Sequence, residues 1–130
     1  MNNLPRIIAI AFFTITLAAF AKEPIGELSV TAAELAAMIS GGDAPFILDV
    51  RTKQEYDAGH IPGAVNISHT ELEERIAELT GQKNDTIVLH CRSGKRAQTA
   101  DEILHRNGFT KITELEGHML GWEEDGHPVE

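Results

Sequence analysis

A chain of 130 residues that is 42% hydrophobic and 24% charged has room for one hydrophobic core, and it is neither a disordered polyelectrolyte nor a fibrous repeat. Acids outnumber bases by 20 to 11, which excludes a general nucleic-acid binder, because phosphate contacts need a surplus of Lys and Arg, and an acidic body also repels anionic lipid. The single cysteine cannot form a disulfide within the chain or build a cysteine-rich zinc or iron–sulfur site.

The chain opens with a short polar stretch carrying Arg6, followed by an unbroken run of apolar residues and threonines from Ile7 to Ala19. Ala19-Phe20-Ala21 then supplies the small-x-small pattern at which a secretory leader is cleaved. The run falls short of the about 20 apolar residues of a membrane span. No twin arginine precedes it and no cysteine follows the cleavage point. The expectation is a cleaved leader over residues 1–21, export to the periplasm or the medium, and a single mature domain over residues 22–130 with no membrane attachment; an uncleaved anchor is the alternative. Cleavage removes Arg6 and no acid, so the net charge goes from −9 to −10.

Beyond the leader, strand and helix signals alternate. Thr31 and Glu34 read as a capping box that opens a helix ending at Gly41-Gly42, with Leu35, Met38 and Ile39 as its buried stripe. Phe46–Val50 is a continuous apolar run interrupted only by Asp49, which suits a strand buried on both faces, and Ala64–Ile67 is a shorter one. Ser68 and Glu71 read as a second capping box, with Leu72, Ile76 and Leu79 at helical spacing before Gly81. Thr86–His90 is the most strand-like run in the chain. A helix is predicted from near Arg96 through Ala97, Ala100, Ile103 and Leu104 to Asn107-Gly108, then a strand over Ile112–Leu115 and a short helix over 119–124. The fold class is therefore α/β, a largely parallel central sheet covered by helices on both faces.

Cys91 falls where the strongest strand ends, in the strand-to-helix loop His90-Cys91-Arg92-Ser93-Gly94-Lys95-Arg96. Functional sites of open α/β sheets collect at such carboxyl ends. The loop amides can curl around the sulfur, with Gly94 allowing the turn. The following helix N-terminus adds about half a positive charge. Arg92, Lys95 and Arg96 add full ones, so a thiol that ordinarily titrates near 8.5 is expected at about 7 or lower, a nucleophile at neutral pH. These are three of the ten bases left after cleavage, gathered within five positions of an acidic body, which makes the loop a positive spot aimed at an anion. An ordinary solvated cluster is the plain alternative.

The run from Asp49 to Ile67, DVRTKQEYDAGHIPGAVNI, resembles the first signature of the rhodanese superfamily, D-x-R … E-[FY] … G-H-I-x-G-A-x-N-[IL]. The Cys91 loop is similar to the active-site loop of that family, in which four residues separate the nucleophile from an arginine. Glu116-Gly117-His118-Met119-Leu120-Gly121-Trp122 resembles a second signature, usually closer to G-G-x-x-x-W, with His118 in place of the second glycine. The resemblance covers nearly all of the predicted mature domain.

It implies sulfur transfer through Cys91. The thiolate would take the outer sulfur of an anionic donor such as thiosulfate and pass it from a persulfide to a thiophilic acceptor such as cyanide, a thiol or an acceptor protein. The amides of residues 92 to 96 would hold the anionic terminal sulfur, Arg96 would brace the loop, and Arg92 or Lys95 would steer the donor. Four intervening residues suit one sulfur atom better than phosphate, which leaves a phosphatase or arsenate reductase of the same fold as a minor alternative and a persulfide carrier with little turnover as another. No cofactor is implied, and a monomer is expected. The six histidines show no metal-ligand spacing, so no metal site is expected. Asp49 and Arg51 are expected in supporting roles at the same rim, Asp49 holding amides or a charge and Arg51 pairing with a carboxylate such as Glu55. His60 reads as a turn residue, Trp122 as core, and Glu71, Glu73, Glu74 and Glu78 as a solvated helix face. Strand alternation points His90 away from Cys91.

Overall fold

A computed structural model describes residues 29–130; the predicted leader and its cleavage site lie outside the described residues. The strands are β1 (Ser29–Val30), β2 (Phe46–Asp49), β3 (Val65–Asn66), β4 (Ile87–His90) and β5 (Ile112–Leu115). They form one five-stranded sheet in the order β1-β5-β4-β2-β3, with every pairing parallel. The helices are α1 (Ala32–Ser40), α2 (Lys53–Ala58), α3 (Lys95–Arg106) and α4 (His118–Glu124).

β4 is the middle strand, and all four of its residues are buried. Alternation along it sends Ile87 and Leu89 into one core and Val88 into the other. α3 covers the first face through Ala97, Ala100 and Leu104. The second is covered by Leu35 of α1 and by Met119 and Trp122 of α4. The expected parallel sheet with helices on both faces is thus what forms. Because all strands run the same way, their carboxyl ends share one rim, and the register that sets Asp49 opposite His90 brings the β2 and β4 exits side by side.

α1 starts at the predicted place, with Thr31 Oγ1 accepting from Glu34 N at 3.1 Å, but the Glu34 side chain does not return the bond to Thr31 N, so the expected box is only half formed; the helix ends at Gly41. Leu35 is buried while Met38 and Ile39 are half-buried. The helix predicted from Ser68 is not formed as such: turns occupy residues 69–75, followed by a 3₁₀ helix over Ile76–Gln82. Ser68 Oγ pairs with Thr70 Oγ1, so it does not cap Glu71, whose amide bonds the Ser68 carbonyl instead. Glu71, Glu74 and Glu78 stand at helical i,i+3 and i,i+4 spacings, where like charges oppose an α-helix. Leu72 and Leu79 are nevertheless fully buried, so tertiary anchoring sets the path of this segment, and its glutamates face solvent as expected.

Two elements have no counterpart among the predicted ones. β1 is only two residues long. α2 has a complete capping box, Thr52 Oγ1 accepting from Glu55 N and Glu55 Oε2 accepting from Thr52 N, but none of its six residues is buried, so it carries no apolar period to read.

Candidate active site

The loop from β4 to α3 wraps around Cys91, which is 1% exposed. Its carbonyls turn outward: Cys91 O accepts from Met119 N at 3.0 Å and Arg92 O from Leu120 N at 3.2 Å, both from α4. With the carbonyls engaged there, Gly94 N donates to Sγ at 3.0 Å. Gly94 adopts φ +123, a value at which an L side chain is strained. Burial pushes the thiol up, but the neighbouring His118 side chain and the amides of Ala97, Gly94 and Ser93 outweigh it and bring it down to about 6. Cys91 therefore ionises below neutrality, as expected, through the loop amides and His118, which lies outside the loop; Arg92, Lys95 and Arg96 are not among the main causes.

Arg96, at the first turn of α3, reaches across to α2 and forms a two-pronged ion pair with Glu55, at 2.7 and 2.9 Å. This bond, with the amide and hydroxyl of Thr52 also donating to Glu55, holds the carboxyl at about 2 against the cost of burial. Arg96 thereby ties the far end of the Cys91 loop to a second element. Its charge is matched, whereas Arg92 and Lys95 are exposed and, among the described residues, in no ion pair. Ser93 is also exposed.

The expected pairing of Arg51 with Glu55 is not what forms. Asp49 and Arg51 are two residues apart on an extended segment, so both side chains leave on the same side. The guanidinium folds back onto Asp49, with Nε 3.0 Å from both carboxylate oxygens and Nη2 2.7 Å from Oδ2, leaving Glu55 to Arg96. Asp49 Oδ1 also accepts from Arg51 N at 3.0 Å, and Arg51 Nη2 donates to Gly59 O at 2.9 Å. The pair is buried and hydrogen-bonded, and it fixes the β2 exit and the end of α2 rather than contacting Sγ. Arg51, Glu55, Gly59 and Arg92 line a small cleft of about 170 Å³.

His90 does face away from Sγ: Nδ1 lies 3.0 Å from Cys91 O and Nε2 3.7 Å from Asp49 Oδ2. Burial favours its neutral form. His60 is a turn residue, its Nδ1 2.9 Å from Tyr56 O and its ring stacked on Tyr56. Trp122 is core, its Nε1 donating to Pro128 O at 2.8 Å. Among the described residues, no group of three or more His, Cys, Asp or Glu side chains could hold a metal ion.

Sequence reasoning missed His118 as part of the site. The motif places glycine there, and position 118 keeps a glycine-like backbone, φ +52, next to Gly117 at φ +74. The side chain is buried against the loop, with Nδ1 3.2 Å from Cys91 N and Nε2 2.8 Å from Glu114 Oε1. The departure from the glycine pattern was itself the signal, because a titratable residue had replaced a residue with no side chain.

Residues 31–125 match the family described as rhodanese-like domain. The chain is 39% identical over 105 residues to the HTH-type transcriptional regulator Rv0324 of Mycobacterium tuberculosis, a match spanning 80% of this chain and 45% of that protein. It is 39% identical over 70 residues to the thiosulfate sulfurtransferase PspE of Escherichia coli, spanning 54% of this chain and 67% of that one. The crystal structure of a rhodanese-related protein from Thermoplasma volcanium superposes with a TM-score of 0.68 at 33% identity, covering 78% of this chain and 96% of the other. The matched region is thus less than half of the regulator, whose remaining part has no counterpart in that match. A parallel sheet whose middle strand delivers a buried, low-pKa cysteine into a Cys-x4-Arg loop, together with a family match over most of the chain, leads to one conclusion: this protein belongs to the rhodanese-like family.

Proposed function

We propose that this protein is an exported sulfurtransferase that moves the outer sulfur of thiosulfate through a Cys91 persulfide to a thiophilic acceptor such as cyanide or a thiol. The observation that carries the reading is the cradle around Sγ: a buried thiol ionising at about 6, with Gly94 N 3.0 Å away and further amide hydrogen bonds from Ser93 and Ala97. The Cys91 thiolate attacks the outer sulfur; an Sγ–S bond forms, the S–S bond of thiosulfate breaks, and its electron pair leaves on sulfite. The terminal sulfur of the persulfide is anionic, and fixed amide donors in a water-poor loop stabilise it without reorganising. Cyanide then attacks that sulfur; a C–S bond forms, the Sγ–S bond breaks, and its pair returns to Sγ as thiolate. Arg92 and Lys95, exposed and in no ion pair among the described residues, supply the positive field for a dianion, and the four residues between Cys91 and Arg96 favour one sulfur atom over a phosphate. Export is proposed from the leader pattern of residues 1–21, which supports a mature domain over residues 22–130 in the periplasm or outside the cell.

The test is thiocyanate formation from thiosulfate and cyanide by the mature protein. Wild type turns over, Cys91→Ser does not, and the rate rises with pH through about 6, where the thiol ionises, and then levels. Hydrolysis of an aryl phosphate by a protein that ignores thiosulfate would contradict the reading. Persulfide formation without turnover would reduce it to sulfur carriage.

A further inference from the structure

α3 packs over β4 but leaves Glu114 of the neighbouring β5 exposed on the same face of the sheet. Ile112 and Glu114, two residues apart, both stand on that face, and between them and the Asp101–His105 turn of α3 runs a groove of about 470 Å³ with Leu89 in its lining. A cavity of this size suits a ligand of a few residues. One end of the groove is the Cys91 loop itself, since Ser93, Gly94 and Ala97, whose amides hold Sγ, all line it. Its charge is opposite to that of the loop: Asp101 and Glu114 line it, and no Lys or Arg among the described residues does. The ion-pair partners of these carboxylates are imidazoles, His105 Nδ1 at 3.2 Å and His118 Nε2 at 2.8 Å, which cancel their charge only when protonated. Arg92 lies instead on the separate small cleft with Arg51. A dianion such as thiosulfate is therefore favoured on the Arg92 side and disfavoured in the groove.

We propose that this groove is the subsite for the sulfur acceptor, and that the acceptor it takes is a peptide thiol with a basic side chain beside it, the thiol at the Gly94 end and the ammonium at Asp101 and Glu114. The proposal rests on sulfur transfer through Cys91 and names the class of molecule that receives the sulfur. Gly94 and Asp101 are seven residues apart, about 10 Å along α3, which is roughly the reach from a cysteine sulfur to the ammonium of an adjacent lysine in an extended peptide. Leu89 and Ile112 offer apolar surface to the methylene stem of such a side chain while its charge meets the carboxylates. The outer sulfur of the persulfide, about 2 Å beyond Sγ, is the atom the acceptor must reach. The acceptor thiol loses its proton to water and attacks that sulfur; a new S–S bond forms on the acceptor, the Sγ–S bond breaks, and its electron pair returns to Sγ. The acceptor leaves as a persulfide, and no oxidant or reductant is consumed.

Two peptides with the same thiol and opposite charge, N-acetyl-Cys-Lys-amide and N-acetyl-Cys-Glu-amide, test the proposal. Protein loaded from thiosulfate is mixed with each, and intact mass follows loss of the extra sulfur. Wild type gives its sulfur to the lysine peptide roughly fivefold or more faster, and the advantage shrinks at high salt. Asp101→Asn brings the ratio of the two rates towards one and Asp101→Lys inverts it; because both rates come from the same protein, the ratio does not depend on how much of a variant is folded. Equal rates in wild type, or a ratio that Asp101→Asn leaves unchanged, overturn the proposal. Binding is read separately with N-acetyl-Ser-Lys-amide, which has no thiol to accept sulfur. It shifts the backbone amide resonances of Asp101, His105 and Glu114, whereas N-acetyl-Ser-Glu-amide does not; no shift, or the same shift with both, overturns the proposal as well. Lysine-selective shifts in a protein that forms no persulfide support the groove and sink the sulfurtransferase reading, whereas turnover with cyanide and equal rates for the two thiol peptides does the reverse.

Discussion

At position 94 the backbone takes φ +123 and a β-carbon would lie 3.0 Å from the His118 ring. Gly94→Ala therefore meets both strain and a clash, expected to cost about 1–3 kcal/mol. Either the ring or the 94 amide must move, so the mutant should melt lower and its Cys91 alkylation profile should shift to higher pH; a melting point and profile equal to wild type would show that the loop has slack. Asp49 raises a different issue, because Arg51 beside it is 5% exposed and loses its carboxylate in Asp49→Ala. Leaving a buried guanidinium unpaired costs about 3–5 kcal/mol, measurable as a fall in the urea midpoint. A loss under about 1 kcal/mol would mean that Gly59 O and water satisfy Arg51 without it. Both effects are structural and leave the identity of the nucleophile untouched.

The join between α2 and α3 carries its own pH signature. Glu55 is held at about 2 against an ordinary 4.5, so the folded chain binds its proton less readily than the unfolded chain does. The stabilisation is complete above about 4.5 and is lost as pH falls through about 2. Glu55→Gln should flatten that part of the stability curve, on the order of 1 kcal/mol for a pair this exposed; parallel curves for mutant and wild type would remove the brace from the account. Elements also show where a sequence informs and where it does not. β2 and β4 were legible because burial on both faces writes itself as apolar runs, β5 as a short run in which Ile112 and Leu115 bracket two polar residues, α1 by its Thr31 cap, and α3 by its apolar stripe. α2 buries no residue and left no period, and the 69–82 segment has helical spacing that like charges and tertiary anchoring override. The Glu55–Arg96 pair joins residues 41 apart, which no local pattern reports, and Arg51 pairs with Asp49 instead.

Over the whole molecule, an acidic body carries one cationic loop at the rim of a parallel sheet. The position of that loop followed from chain order and strand direction alone, since the middle strand of such a sheet delivers its exit loop to the rim; the contribution of His118 did not, because it depends on a side chain where the motif has none. The net charge repels a dianion on approach, and the local field of Arg92 and Lys95 opposes it. Lys95→Glu should therefore raise KM for thiosulfate with kcat little changed, and more at low than at high salt. A salt-independent KM would take Lys95 out of steering. The central claim, that Cys91 carries a sulfur atom, is tested most directly by the intact mass of the mature protein after thiosulfate treatment. Wild type should gain the mass of one sulfur atom, lose it on adding cyanide with an equal amount of thiocyanate formed, and show neither change in Cys91→Ser. A wild-type mass unmoved by thiosulfate under non-reducing conditions would contradict the account.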